Sequence, residues 1–243
     1  MSLLYVGTFG SFIGYSLALP LVIKNMFPEF LAGHPFIATY LAGLGFVGAL
    51  VGSAARPFGG WLSDRLGGAR VTLVAFLGMG GFTLTAIAGV NERSFVVFFA
   101  SFAFIFLLAG VGNGSTYRMI PCIFAALGQA EAREQGLADH DTALCYRRRA
   151  AAVIGIAGAV GAFGGFLIQV ILREASLGTA ALMKAAETPA QRAAIAQANA
   201  DWSVPALWVF LGAYVGLAGM TWFCYLRRSL GVRRVPSLAH ASV

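Results

Sequence analysis

A single arginine interrupts a long apolar stretch of the sequence. Residues 36–51 carry no charge, and Arg56 follows them within GSAARPFGG, residues 52–60. A guanidinium donates two parallel hydrogen bonds to an anion with adjacent oxygens, and it stays charged in every protein environment. If this apolar stretch crosses a membrane, Arg56 is a candidate ligand for a small oxyanion.

The depth and the helix face of Arg56 favour such a role. Arg56 lies eight residues before Asp64, which is about 12 Å along a helix, and half of a membrane core is about 15 Å. Gly45, Gly48 and Gly52 precede Arg56 at three- and four-residue intervals, so they share its side of the helix. Small residues on one side allow close helix contact or leave space for a ligand.

The alternative is a structural arginine that pairs with a buried carboxylate or caps helix carbonyls. All ten acidic residues fall in predicted loops or at helix ends, so no predicted span contains a carboxylate partner. Because an intramembrane charge costs from about 2.5 to well over 10 kcal/mol, this imbalance favours an anionic substrate as the counter-ion. Arg118 lies toward the cytoplasmic end of another apolar segment and could instead extend to the surface.

Three other segments carry groups suited to anion binding. Tyr5 and Phe9 share a face, where a phenol could donate to an anion and a ring could stack on it, although aromatic stripes commonly serve packing. Asn113 and Ser115 lie in AGVGNGSTYRMIP, residues 109–121, and polar groups there must line a cavity or bond to neighbouring helices. The glycines of residues 155–165 recur at three-residue steps, which is typical of close packing or of a sliding contact.

No arrangement typical of an enzyme or of a metal site accompanies these residues. Cys122, Cys145 and Cys224 are far apart in the sequence, and the three histidines fall in predicted loops or in the tail. Without a nucleophile, general base or ligand cluster, we expect no enzymatic activity, no metal and no cofactor. The basic residues are spread over short loops, which argues against nucleic acid as a partner.

The elements that would position the candidate residues are membrane helices. Of the 243 residues, 58% are hydrophobic and 11% are charged, whereas about 25% are charged in soluble domains. A transmembrane helix needs roughly 20 apolar residues. Six segments meet this length, at about 2–23, 36–62, 71–90, 94–127, 150–172 and 205–226. The predicted fold is therefore an all-α polytopic membrane protein, with one or two short helices at 177–203 outside the membrane.

The charge distribution predicts the orientation of these spans. Of the 17 Lys and Arg residues, ten fall at 63–70, at 128–149 and after 226, and five fall in the loops on the opposite side. By the positive-inside rule, both termini lie in the cytoplasm. We expect a multi-pass protein of the inner (plasma) membrane, with a transmembrane domain at 1–228 and a basic cytoplasmic tail at 229–243. The first apolar segment lacks signal-peptide features, so we expect it to be retained.

One segment resembles a loop motif of the major facilitator superfamily. GGWLSDRLGGARVT, residues 59–72, carries the motif positions Gly60, Asp64, Arg65, Gly67 and Arg70. The resemblance implies that the charged positions bond across neighbouring helix ends and lock one conformational state.

Four segments resemble the nitrate/nitrite porter family more specifically, and they occur in the family's order. They are TFGSFIGYS (8–16), ARPFGGWLSDRLGGARVT (55–72), GVGNGSTYRMI (110–120) and GAVGAFGGF (158–166). The resemblance extends over nearly the whole chain, and it corresponds to the second half of the family's proteins, the seventh to twelfth helices.

The resemblance implies a substrate site. Arg56 resembles the family's substrate arginine, Tyr5 resembles the tyrosine that hydrogen-bonds the anion, and Phe9 resembles the aromatic residue that stacks on it. Gly164 and Gly165 resemble part of the eleventh-helix signature. The implied partners are nitrate and nitrite, the lipid bilayer, and an N-terminal six-helix half that carries the opposing part of the site.

Three functions remain open on these grounds. The first is nitrate/nitrite transport by alternating access together with an N-terminal half, as antiport or as proton-coupled uptake. The second is transport of another small oxyanion or of an organic anion on the same scaffold. The third is a non-transporting truncated half or membrane subunit. The lack of an acidic residue within the spans favours anion exchange over proton coupling.

Overall fold

The structure, a computed structural model, describes residues 1–136 and 139–226, without the side chains of 139–141. Within these ranges, six helices are long and apolar enough to cross a membrane, which confirms the predicted six-helix all-α fold. They are α1 (Ser2–Met26), α2 (Leu41–Leu66), α3 (Gly68–Asn91), α4 (Phe95–Gln135), α5 (Asp139–Ala185) and α6 (Val204–Leu226). The predicted tail, 229–243, lies outside the described residues.

Short helices and short turns join the long helices where the structure describes the connection. Proline begins each of the short helices Pro28–Gly33, Pro35–Thr39 and Pro189–Ala198, because the first helical position needs no N–H donor. The Thr188 side chain caps the last of these in a capping box. Between α2 and α3 the chain turns at Gly67 alone, and its φ of 90° belongs to the region that favours glycine.

Two predicted loops are wrong. In place of the loop at 128–149, α4 continues to Gln135 and α5 begins at Asp139. The loop at 63–70 is reduced to Gly67. The 41 residues of α4 and the 47 of α5 give lengths of about 60 and 70 Å, at least twice the ~30 Å membrane core. Residues 128–149 are rich in Ala, Glu, Gln and Arg, which favour helix, so both helices continue beyond the apolar segment.

Two further boundaries differ from the sequence prediction. The predicted span at 36–62 is interrupted at Tyr40, so Pro35–Thr39 forms a separate helix. The prediction of short helices at 177–203 holds for Pro189–Ala198. It is wrong for 177–185, because those residues continue α5 to Ala185.

The middle of the bundle is α4, which packs against α2 and α3 and also contacts α5. The helix α6 lies on α3, and α5 lies on α1. Phenylalanine rings fill the space between them, and Phe76, Phe98 and Phe106 are fully buried. Tyr15 of α1 meets Phe102 and Phe106 of α4 edge-on, with ring centroids 5.1 and 6.4 Å apart. These contacts fix the helix that carries the aromatic candidates.

Buried polar contacts tie α1 to two further helices. The hydroxyl oxygens of Ser11 and Tyr15 each lie 2.7 Å from the Tyr214 hydroxyl oxygen of α6. On the other side, Gln169 of α5 donates its amide N–H to the Gly14 carbonyl at 2.7 Å. Because buried hydrogen-bond donors and acceptors are costly to separate from their partners, these bonds restrict rotation of α1 about its axis.

Candidate anion-binding site

The Arg56 guanidinium lies near the middle of α2 and is oriented toward α1. Its carbon Cζ lies 4.5 Å from the ring centroid of Phe12 and 5.3 Å from that of Phe9. The atoms Nε and Nη2 are buried and have no hydrogen-bond partner among the described residues. Since leaving a buried charged donor unpaired is costly, the arrangement is suited to an anion that accepts from both nitrogens.

Three aromatic rings of α1 line up beside this guanidinium. Phe9 and Phe12 are nearly parallel, with an interplanar angle of 8° and centroids 6.4 Å apart. Tyr5 follows, with its ring centroid 5.3 Å from that of Phe9. The structure therefore brings together Arg56, Tyr5 and Phe9, the three residues that the resemblance singled out.

The backbone of α1 changes its helix type at this point. Residues Val6–Gly10, which include Phe9, form a π-helical turn between two α-helical segments. Such turns insert an extra residue into the helix and often occur at functional sites. On the far side, Gly161 of α5 leaves room for both rings, because a Cβ atom there would lie 2.6 Å from Tyr5 Cδ1 and 3.2 Å from Phe9 Cδ1.

Glycines on α2 and α4 set the position of Arg56. A Cβ atom on Gly114 would collide with the Arg56 carbonyl oxygen, and one on Gly110 would collide with the Gly52 carbonyl oxygen. A Cβ atom on Gly52 would also lie 2.8 Å from the Phe12 ring. The two helices thus pack backbone to backbone, as small residues permit. This contact confirms the glycine stripe on the Arg56 side of α2.

Asn113 lies on α4 between the contacts that α4 makes with α1 and α2. Gly112 abuts Thr8 of α1, and Gly114 abuts the Arg56 carbonyl of α2. With 3.6 residues per turn, the Asn113 side chain lies between the directions of Gly112 and Gly114, so it is directed toward the gap between α1 and α2. Asn113 is 2% exposed, and its amide Nδ2 lacks a hydrogen-bond partner within the described part of the chain. It is a second unpaired buried donor, one residue before the Gly114 position that abuts the Arg56 carbonyl.

Three predicted residues lie elsewhere. Ser115 points to α3, where its hydroxyl donates to the Gly68 carbonyl at 2.8 Å and lies 3.0 Å from the Thr72 hydroxyl. Gly164 and Gly165 lie against the α1 backbone, where added Cβ atoms would be 2.7 Å from the Val6 carbonyl and 3.3 Å from the Gly14 nitrogen. Their contacts position helices, and the structure does not bring them to Arg56.

The loop-motif residues lie at the far end of α2. Asp64 accepts a hydrogen bond from Nε of Arg118 on α4 at 2.7 Å, so the expected bond across helix ends is present. Arg118 is therefore directed to this exposed ion pair and not to Arg56. The Arg65 guanidinium lies 4.3 Å from the Trp61 ring centroid, on the same helix.

The other motif residues are in the backbone turn and next to it. Gly67 adopts the positive φ that joins the two helices. A Cβ atom at Gly60 would lie 3.9 Å from the Gly114 carbonyl, an ordinary contact distance. Arg70 is exposed on the first turn of α3. The motif thus extends from Gly60, about one helical turn after Arg56, to Arg70 beyond the α2–α3 turn.

Comparison with known proteins identifies relatives of the chain, although no protein-family model matches it. The nitrate/nitrite transporter NarU of Salmonella typhimurium is 33% identical over 231 residues, which cover 94% of this chain and 44% of that protein. NarU of Escherichia coli is 37% identical over 171 residues, or 69% of this chain and 35% of that protein. The chain belongs to the nitrate/nitrite porter family.

A third relative, the probable nitrate/nitrite antiporter NarK2 of Thermus thermophilus, is 36% identical over 174 residues, 70% of this chain and 33% of that protein. The porter-family chain thus spans less than half the length of these curated relatives. Their names describe transporters, which agrees with the expectation that the chain is not an enzyme. The six apolar helices among the described residues indicate a multi-pass membrane protein.

Two residues near the site of this porter-family chain escaped the sequence prediction. Phe12 lies closer to the Arg56 guanidinium than Phe9 does, yet only Phe9 was predicted as a ligand. Gly161 leaves room for the Tyr5 and Phe9 rings, whereas only Gly164 and Gly165 of its segment were predicted as site residues. The available signal was the position of Phe12 on the same helix face as Tyr5 and Phe9.

Proposed function

We propose that this chain is the C-terminal, substrate-binding half of a nitrate/nitrite transporter in the inner membrane, with both termini in the cytoplasm. The observation that carries the proposal is the Arg56 guanidinium, whose two buried nitrogens have no partner among the described residues. Nitrate and nitrite are flat anions with adjacent oxygens, which match the parallel donors of a guanidinium. The relatives named as nitrate/nitrite transporters support this choice of substrate.

Each group near Arg56 has a role in this proposal. Arg56 donates two hydrogen bonds to the anion, Tyr5 donates its O–H, and Asn113 donates an amide N–H. The rings of Phe9 and Phe12 hold the guanidinium by cation–π contact, worth about 0.5–2 kcal/mol, and they exclude water. Bonds to charged groups are worth about 1.5–3 kcal/mol each, so losing one should weaken binding measurably.

Gly164 and Gly165 serve the site indirectly in this proposal, because they let α5 approach α1 closely. They thereby keep α1, with its π-helical turn and its aromatic rings, in register with Arg56. We omit Ser115 from the anion ligands, because its hydroxyl already bonds to α3.

Transport requires an opposing six-helix half. Substrate sites of this transporter class lie between two such repeats, near the membrane midplane. In support, only 22% of the most apolar stretch of α2 and 28% of that of α5 are buried, against 56% for α1 and α4. An opposing half would cover part of these exposed sides, and rocking of the two halves would expose the anion to each side of the membrane in turn.

The transport mode that we propose is anion exchange. Every titratable carboxylate of the chain lies outside the predicted membrane spans, so this half supplies no intramembrane proton carrier. One relative is named as a probable nitrate/nitrite antiporter, which supports the same mode. Proton-coupled uptake would require a carrier group on the opposing half.

The experiment is nitrate/nitrite counterflow in proteoliposomes that contain this chain and the N-terminal half of a close relative. We expect uptake of labelled nitrite to depend on internal nitrate and to be insensitive to a collapsed proton gradient. Formate and acetate should compete at least tenfold less well than nitrate. Uptake that follows an imposed proton gradient without internal anion would contradict exchange.

Two controls separate transport from the alternatives. The chain alone should bind nitrate weakly and should not transport it, whereas the co-reconstituted halves should do both. If the combined halves bind nitrate without moving it, the chain is a non-transporting subunit. If a carboxylate competes as well as nitrate does, the chain belongs to a carrier for a different class of anion.

A further inference from the structure

A cavity separate from the Arg56 site lies between the extended ends of α4 and α5. It encloses about 570 Å³ and is lined by residues of both helices. One end is apolar and is formed by Pro121 of α4 and Ile154 of α5, which fall within the predicted membrane spans. From Pro121 to Arg133 the cavity follows twelve residues of α4, about 18 Å at 1.5 Å per residue.

The other end of this cavity carries positive charge. Arg133 lies at this end and Arg147 lies about halfway along the cavity, and the lining residues that the structure describes include no carboxylate. The surrounding residues 128–149 hold four acidic and four arginine residues, so net charge alone does not distinguish the segment. The distinguishing feature is the placement of two exposed guanidiniums on the cavity side.

The depth of Arg147 matches the level of lipid phosphates. Tyr146 packs against Gly128, where an added Cβ atom would lie 3.0 Å from the Tyr146 ring. Because α4 and α5 run in opposite directions, Tyr146 is level with residue 128 and Arg147 with residue 127, the predicted end of the fourth span. A guanidinium at this level can reach phosphate groups at the membrane surface, while the apolar end of the cavity remains at the depth of the acyl chains.

The cavity wall is held in shape by Tyr146. Its hydroxyl donates to Glu131 of α4, and the Arg149 guanidinium lies 4.7 Å from its ring centroid. The Glu131 carboxylate is thereby bound to a tyrosine hydroxyl and not to Arg133 or Arg147. A preformed wall lowers the cost of ordering the site when a ligand binds.

We propose that this cavity binds an anionic phospholipid of the cytoplasmic leaflet. The phosphate would bind Arg147 and Arg133, and the first part of an acyl chain would lie along the apolar end, between Ala125 and Ile154. Basic pockets between membrane helices on the cytoplasmic side are known to select anionic headgroups. A cavity of this length and apolar character is too large for nitrate alone. The proposal does not depend on the transported substrate.

The test is lipid titration of the purified full chain by native mass spectrometry in a nonionic detergent. Phosphatidylglycerol should bind at least tenfold more tightly than phosphatidylcholine with the same acyl chains. At about 1 kcal/mol per basic residue near the surface, each arginine contributes about fivefold, so the double variant R133Q/R147Q should lose about 25-fold. Arg148→Gln is the matched control, since Arg148 is on the same helix and does not line the cavity; it should change binding less than twofold.

A second variant tests the acyl-chain end of the cavity. Ala125→Leu fills apolar space without removing charge, and it should weaken phosphatidylglycerol while leaving helix content unchanged by circular dichroism. Equal binding of the two lipids, or an equal loss in Arg148→Gln, would overturn the proposal. Full competition by millimolar inorganic phosphate would assign the cavity to a free phosphate, and full competition by nitrate would assign it to the anion path; either result also overturns the lipid assignment.

Discussion

The Arg56→Lys substitution keeps the positive charge in the candidate site but replaces two forked donors with a compact ammonium. In the proposed complex the guanidinium donates two charge-assisted bonds to one anion, and a lysine in the same place supplies only one in comparable geometry. The loss of one such bond is about 1.5–3 kcal/mol, and each 1.4 kcal/mol is tenfold. We therefore expect the KM for nitrate to rise roughly 10- to 150-fold.

The assay is nitrate counterflow in proteoliposomes with the opposing half, over a range of external nitrate concentrations. Arg65→Lys is the matched control, because Arg65 lies on the same helix but over the Trp61 ring, at 4.3 Å, at the far end of α2. It should change the KM less than twofold. Arg56→Gln should abolish uptake, because it removes the charge as well. An unchanged KM in Arg56→Lys, with folded protein confirmed by circular dichroism, would refute the bidentate contact.

Three further predictions concern the scaffold of the site. Gly114→Ala puts a methyl group against the Arg56 carbonyl, so we expect a loss of about 1–3 kcal/mol in thermal unfolding and a higher KM for nitrate. Tyr214→Phe leaves two buried hydroxyl groups without their shared partner; it should lose about 1–3 kcal/mol of stability, and the KM should stay within threefold. Asp64→Asn weakens an exposed ion pair with Arg118, so it should cost less than about 1 kcal/mol in unfolding while it changes the maximal transport rate and not the KM.

The candidate site residues that could be predicted are those whose side chains are costly to bury in a membrane. An arginine in an apolar span must have a partner, and no predicted span contains a carboxylate to supply one, so composition and position alone predict Arg56 as an anion ligand. The spacing of Tyr5 and Phe9 is weak evidence for a binding site, since aromatic rings pack in any membrane protein. The resemblance to the porter family was needed to select them.

The register between helices could not be predicted from the sequence, and it determines which of the remaining candidate residues face Arg56. Phe12 and Phe9 share a face in an ideal α-helix, whereas here a π-helical turn at Val6–Gly10 includes Phe9, and Phe12 lies nearer to Arg56 than Phe9 does. Ser115 and Asn113 are two residues apart and so face different neighbours. Glycine contacts with α1 and α2 determine that Asn113, and not Ser115, points to the Arg56 side.

The helix ends were misjudged for a different reason. Hydropathy marks where a segment leaves the membrane. A helix ends only where its backbone leaves the helical conformation, as at Gly136 after α4. The left-handed conformation of Gly136, with φ of 63°, ends α4 well beyond the apolar segment. Because the predicted helix ends followed hydropathy and not helix propensity, the extended ends of α4 and α5 were not predicted. The cavity between the two helices was therefore not predicted either.

The charge of the site also bears on how the proposed transporter would work. In the proposed site the donors of this chain come from α1, α2 and α4, so they would reach the anion from one side only. An anion with three oxygens still has free acceptor positions on its other side, which the opposing half would have to satisfy. Without the anion, Arg56 is an unbalanced charge near the middle of the membrane, and such a charge is expensive there. The transporter without a bound anion would then be the least stable form. Its binding site would therefore reorient to the other side of the membrane more readily with a second anion bound than without one, which is the physical basis for expecting exchange.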